Sequence, residues 1–194
     1  MFELKKIHPD AIPQALERAH FYRLLNEPGA AESICLDVLE IDPENQQALI
    51  TLLTAITDRF NKSYAVGATQ AKDVLPRIKD DYQRAYYAGL ICERQAKARL
   101  QHGGPGAGHD AYEWLRDAME HFEKAESIRP EGNDDSILRW NACARMIMRN
   151  NLSARGSDGS EPGIVYVNGA TYTAMGFPWE INADAFERLL LRVH

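Results

Sequence analysis

Asp117-Ala118-Met119-Glu120-His121-Phe122-Glu123-Lys124-Ala125-Glu126-Ser127-Ile128-Arg129-Pro130 is the stretch that decides the fold. Read as a helix, it sets Ala118, Phe122 and Ala125 on one side, at the spacing of a buried stripe. Small side chains at 118 and 125 leave room for a second helix to come close, and the ring at 122 fills the space beside them. Pro130 then ends the run, because proline lacks an N–H and clashes with the preceding turn. The same intervals recur upstream in Ala31, Cys35, Val38 and Pro43.

On either side of this stretch the chain, up to about residue 151, reads as helices and short turns. Asp10 is the expected cap of a first helix with Pro13 in its opening turn, and Asn26-Glu27-Pro28-Gly29 stops it. A second helix runs from Ala30 to Ile41 and breaks at Asp42-Pro43-Glu44-Asn45. A third spans Gln46 to Phe60 and a fourth Ser63 to Leu75, closed by Pro76. The fifth, Asp80 to Gln101, is rich in good helix formers. Gly103 to Gly108 is expected as a loop, Asp110 as the cap of the sixth helix to Ile128, and Asn133 as the cap of the seventh to Arg149. Hairpins of this kind cannot bury their own apolar faces, so they must stack.

The segments are self-similar. Those beginning at Ile12 and Gln46 lie 34 residues apart, and later ones begin near Tyr82 and Asn133. First-helix members carry a small residue three before a ring or apolar side chain, as in Ala19 with Tyr22 and Gly89 with Cys92. This pattern resembles the tetratricopeptide repeat (TPR), a pair of antiparallel helices with small residues at fixed positions and a proline after the second. The resemblance covers about 12 to 150. It departs from the family pattern at Arg18, Leu53 and Trp140, and Pro76 arrives one place early. It implies an all-α, TPR-like antiparallel helical-hairpin solenoid of seven helices, about three and a half repeats.

The resemblance also implies a groove lined by the first helices of successive repeats, receiving an extended or helical peptide. By position the lining residues are Leu16, His20 and Arg23, then Ile50, Thr54 and Asp58, then Tyr86, Leu90 and Arg94, then Ile137, Asn141 and Arg145. Leu16, Ile50, Tyr86 and Ile137 share a register and are expected as an apolar stripe flanked by arginines, suited to a peptide with apolar anchors and acidic flanks. Some members hold an acidic chain terminus with a Lys/Asn clamp. Leu16, His20, Thr51, Gln83 and Tyr87 stand at those positions, so no such clamp is expected.

Composition changes at Ser153-Ala154-Arg155-Gly156, and 152–163 reads as a flexible linker between a repeat domain at 1–151 and a docking segment at 164–194. Ile164 to Val167, Asn168-Gly169 and Ala170 to Thr173 carry a strong hairpin signal, because the type I′ turn favours Asn-Gly. Asn182 is expected to cap a short helix to about Arg192. This segment is too apolar for a mere linker, so it is expected to dock on the repeats, in cis or in a neighbouring copy, and a homodimer is one outcome.

The chain has 194 residues, 45 % hydrophobic and 26 % charged, with net charge −6. A pI near 5.5 without a basic run argues against a nucleic-acid surface. No stretch has the ~20 apolar residues of a spanning helix, and no secretory signal opens the chain, so the expected setting is the cytoplasm. Cys35, Cys92 and Cys143 are widely spaced and read as buried thiols. The Gly-rich stretch lacks the Lys-Ser/Thr of a phosphate loop. His102 and His109 flank it and Asp117 lies one helical turn from His121, but without a Glu-x-x-His or H-E-x-x-H pair these are expected as solvated surface rather than a metal site. The expected function is therefore a non-catalytic protein–protein interaction or scaffold module without metal or cofactor. The alternative is a small-molecule-binding or enzymatic helical domain with a pocket near Tyr86, Arg94, Tyr112 and Trp114.

Overall fold

A computed structural model describes residues 2–61 and 64–156 together with the strand residues 163–167 and 170–174. Two compact units result, Met1–Ala154 and Arg155–His194. The first is all-helical: α1 (Ile12–Leu24), α2 (Pro28–Ile41), α3 (Gln46–Thr57), α4 (Tyr64–Val74), α5 (Asp81–His102), α6 (Ala107–Ser127) and α7 (Asp135–Arg149), with 3-10 turns at Pro9–Ala11 and Leu75–Arg77. Leu152, expected in the linker, instead packs against the helices, and its N–H donates to the Ile147 carbonyl at 3.0 Å.

Local chemistry accounts for the helix ends. Asn26 takes a left-handed conformation (φ 60°) and turns the chain, after which Pro28 opens α2, where a missing N–H is harmless. Asn45 caps α3 by accepting from the Ala48 N–H at 2.9 Å, and Asp80 caps α5 by accepting from Gln83 N–H at 2.7 Å. Three expected caps are displaced. Asp10 lies inside the 3-10 turn that His8 caps, and Ala11 precedes α1. The sixth helix starts at Ala107, behind left-handed Gly106 (φ 74°), which leaves Asp110 in its first turn. Asp134 precedes α7, while the Asn133 side chain accepts from Asp135 N–H at 3.0 Å and from Tyr82 hydroxyl at 3.1 Å.

Every substantial helix–helix contact joins elements adjacent in the chain or two apart: each helix packs on the next, α1 also meets α3, and α5 also meets α7. Two cores result. The first is built from α1 to α4, around Ala19, Cys35, Val38, Leu49, Leu53 and Phe60, and takes Ile91 and Ala98 from α5. The second lies among α5, α6 and α7, around Ala96, Leu115, Ala118, Phe122 and Cys143. α5 thus serves as a wall shared by both. α3 is buried almost throughout, and its threonines bond within the helix: Thr54 donates to the Ile50 and Thr51 carbonyls, and Thr57 to those of Leu53 and Thr54.

In the second unit, β1 (Gly163–Val167) pairs antiparallel with β2 (Ala170–Ala174), with Val167 opposite Ala170 and Gly163 opposite Ala174. The helix expected over 182–192, the Asn168-Gly169 turn and residues 157–162 of the expected linker lie outside the described residues.

Candidate functional site

The sequence assigns α1, α3, α5 and α7 to one face, and the structure joins their charged residues. Asp58 follows the last turn of α3. Its carboxylate accepts from Arg23 Nε of α1 at 2.9 Å through one oxygen and pairs with the Arg94 guanidinium of α5 at 2.8 Å through the other. Arg94 donates further to the Thr54 carbonyl at 2.9 Å and to the Thr57 hydroxyl. Burial pulls the Arg94 guanidinium below its ordinary pKa, and the Asp58 carboxylate opposes that pull.

A second cluster lies beside the first. Glu93 of α5 is wholly buried, and one of its oxygens takes both Lys97, one turn along α5, and Arg139 of α7 at 3.4 Å. Its other oxygen has no partner. Arg139 Nε also donates to the Tyr86 hydroxyl at 3.3 Å. The Tyr86 ring is fixed in turn, stacked on Tyr82 at 6.0 Å and tilted on Phe122 at 5.8 Å.

Two hollows open among these groups. One of about 250 Å³ is lined by Thr57, Asp58, Phe60, Asn61, Arg94, Lys97, Ala98, Gln101 and Arg139. The other, of about 520 Å³, is lined by Lys97, Leu100, Ala142, Arg145, Met146, Arg149 and Asn150. The second, a trough between α5 and α7, combines the apolar Leu100, Ala142 and Met146 with the cations Lys97, Arg145 and Arg149, and Lys97 lines the first hollow as well.

Against this geometry, the expected lining residues divide. Arg23, Asp58 and Arg94 come together, and Arg145 lines the trough. Leu16 and Leu90 are 4 % and 3 % exposed and belong to the interior, so they line nothing. The stripe through Leu16, Ile50, Tyr86 and Ile137 is therefore not a continuous surface: Ile50, Tyr86 and Ile137 are half-buried and Leu16 is closed off. Thr54 is buried and self-bonded, Asn141 half-buried, His20 exposed. Of the alternative pocket's residues, Trp114 lines an apolar hollow of about 150 Å³ with Ala98, Arg99 and His102, and Arg94 lines the hollow of about 250 Å³, which shares Ala98 with it.

Lys97, Arg139 and Arg149 escaped the sequence reading. The Glu93–Lys97 spacing of one helical turn was a usable signal. Arg139 carried none, because its partner Glu93 lies 46 residues away.

Both carboxylates are engaged by two cations each, Asp58 by Arg23 and Arg94 and Glu93 by Lys97 and Arg139. Burial pushes the thiols of Cys35 and Cys143 up to about 12 and that of Cys92 to about 11, far from the thiolate a nucleophile needs. Among the described residues, no group of three or more His, Cys, Asp or Glu could hold a metal, and no helix is long and apolar enough to cross a membrane. No family model matches the chain, and no curated protein or solved structure matches it.

Proposed function

We propose that residues 12–150 form a TPR-like array of helical hairpins, and that the face made by α1, α3, α5 and α7 receives a segment of a partner protein. The observation that carries this reading is a recurrent contact about one repeat away in sequence. Arg23 reaches Asp58 across 35 residues, Arg77 donates to the Pro43 carbonyl across 34, and Lys79 N–H donates to the Gln46 side chain across 33. Stacked hairpins of that period bring equivalent positions together in this way. The two cores flanking α5 support the same reading, since a closed bundle gathers its helices round one.

Binding here is non-covalent. Helices already stacked hold the lining side chains in place, so a partner avoids much of the ordering cost of association. The test is selection of ligands from a displayed peptide library by the full chain, followed by hydrogen–deuterium exchange. The expected result is slowed exchange in α5 and α7 and at the end of α3. Slowing confined to α2, α4 and α6, or none with any selected ligand, overturns the reading.

A further inference from the structure

We infer that the partner segment is an internal acidic stretch of a protein, carrying carboxylates in alternation with apolar side chains, and that it lies in the trough between α5 and α7. This rests on the interaction-module reading above and names the chemistry of its partner.

The charge balance carries the inference. The whole chain has net charge −6, yet Arg94, Lys97, Arg139, Arg145 and Arg149 line the two hollows that Lys97 shares. Asp58 is the carboxylate among the lining residues, and it is spent on Arg23 and Arg94. Glu93 lies wholly buried behind Lys97 and Arg139. Arg145 and Arg149, one turn apart on α7, have no ion-pair partner among the described residues. An acidic protein that gathers more cations than carboxylates around these hollows, two of them without an ion-pair partner, presents an anion-attracting surface.

Spacing and floor narrow the ligand. Arg94 and Lys97 stand one turn apart on α5, and Arg145 and Arg149 one turn apart on α7, a turn advancing about 5.4 Å. In an extended peptide, side chains on the same side recur about every 6.8 Å, close enough for alternate carboxylates to meet successive cations. The residues between them point the other way, toward Phe60, Leu100, Ala142 and Met146. Because the cations are spread along both hollows rather than gathered at one point, side-chain carboxylates and not a chain terminus are what they match.

The probe is a short acetylated, amidated peptide in which Glu alternates with Leu, titrated by fluorescence polarisation against the full chain. Its twin carries Gln in place of Glu. The acidic peptide is expected to bind at least about tenfold tighter than its twin. That preference should shrink as ionic strength rises, and freeing the C-terminal carboxyl should leave affinity unchanged. The double variant Arg145→Gln/Arg149→Gln alters a side of α7 that faces solvent, so its fold is retained, and it should lose about tenfold. Equal affinity for both peptides, no binding of the acidic one at low ionic strength, or its displacement by a tighter-binding single-stranded RNA oligomer overturns the inference. If the Gln twin binds equally and slows exchange in α5 and α7, the acidic ligand is wrong and the interaction module stands. If no ligand slows exchange there, the module reading itself has failed.

Discussion

Gly89 of α5 lies so close to the ring of Phe122 in α6 that a Cβ at position 89 would stand 2.6 Å from the nearest ring carbon. This contact is why α5 can carry a glycine in mid-helix, where alanine is otherwise favoured by about 1 kcal/mol. The ring is fully buried and braced by Tyr86, so it has nowhere to retreat.

Gly89→Ala is therefore expected to destabilise the first unit by about 1–3 kcal/mol, overpacking outweighing the gain in helix propensity. Urea denaturation measures it. Combining it with Phe122→Leu should recover part of the loss, because the two sites share one contact. Additive losses would show that the clash is not the cause.

Asp58→Asn should cost about 1–3 kcal/mol, since two arginines from different helices lose their common acceptor. The three side chains are a fifth to a quarter exposed, so water recovers some of this and the lower end is expected. A double-mutant cycle with Arg94→Gln separates the ion pair from the bonds that Arg94 keeps to α3. A coupling near zero would remove Asp58 as the link between α1 and α5.

The thiols predict a pH dependence. Folding raises Cys35 and Cys143 from 9.0 to about 12, by burial above all, so the folded chain holds those protons more tightly than the unfolded one. This contribution is fully present below pH 9 and is lost as pH climbs toward 12, because the unfolded chain ionises first. Thermal unfolding should thus fall in Tm above pH 9, and by less in a Cys35→Ala/Cys143→Ala variant than in the parent. Alkylation by iodoacetamide at neutral pH should be slow until denaturant is added. Rapid labelling of the native chain at Cys35 would contradict the packing.

Glu93→Gln is expected to leave stability within about 1 kcal/mol of the parent. A wholly buried carboxylate with one unpartnered oxygen costs much of what its ion pairs return, and Lys97 and Arg139 are exposed enough to turn to water. The same change removes a negative charge from behind the trough, so the acidic peptide should bind about twofold tighter or better. Weaker binding would mean that Glu93 is needed to position its two cations.

Much of the helical order could be read from residues alone because its causes are local. Period, proline and glycine punctuation, and caps such as Asn45 and Asp80 act within a turn or two of chain. The small-residue and ring spacing in Ala118 to Ala125 likewise announced a close helix approach, and Gly89 meets the Phe122 ring there. Where a nearby alternative was nearly as good, the local reading slipped. Gly106 starts α6 three residues ahead of Asp110 because a left-handed glycine lets the helix begin earlier.

The site was another matter. Periodicity says that Leu16 and Leu90 share a face with Arg23 and Arg94, but not which neighbouring helix covers that face or how far its cover extends. Packing against adjacent helices buried the leucines and left the longer arginine side chains able to reach out to Asp58. Arg139 met Glu93 only because α7 folded against α5, and no spacing along a chain encodes a distance between helices. The residues themselves determined the rods and their turns; which cations share a trough was decided by how those rods stack.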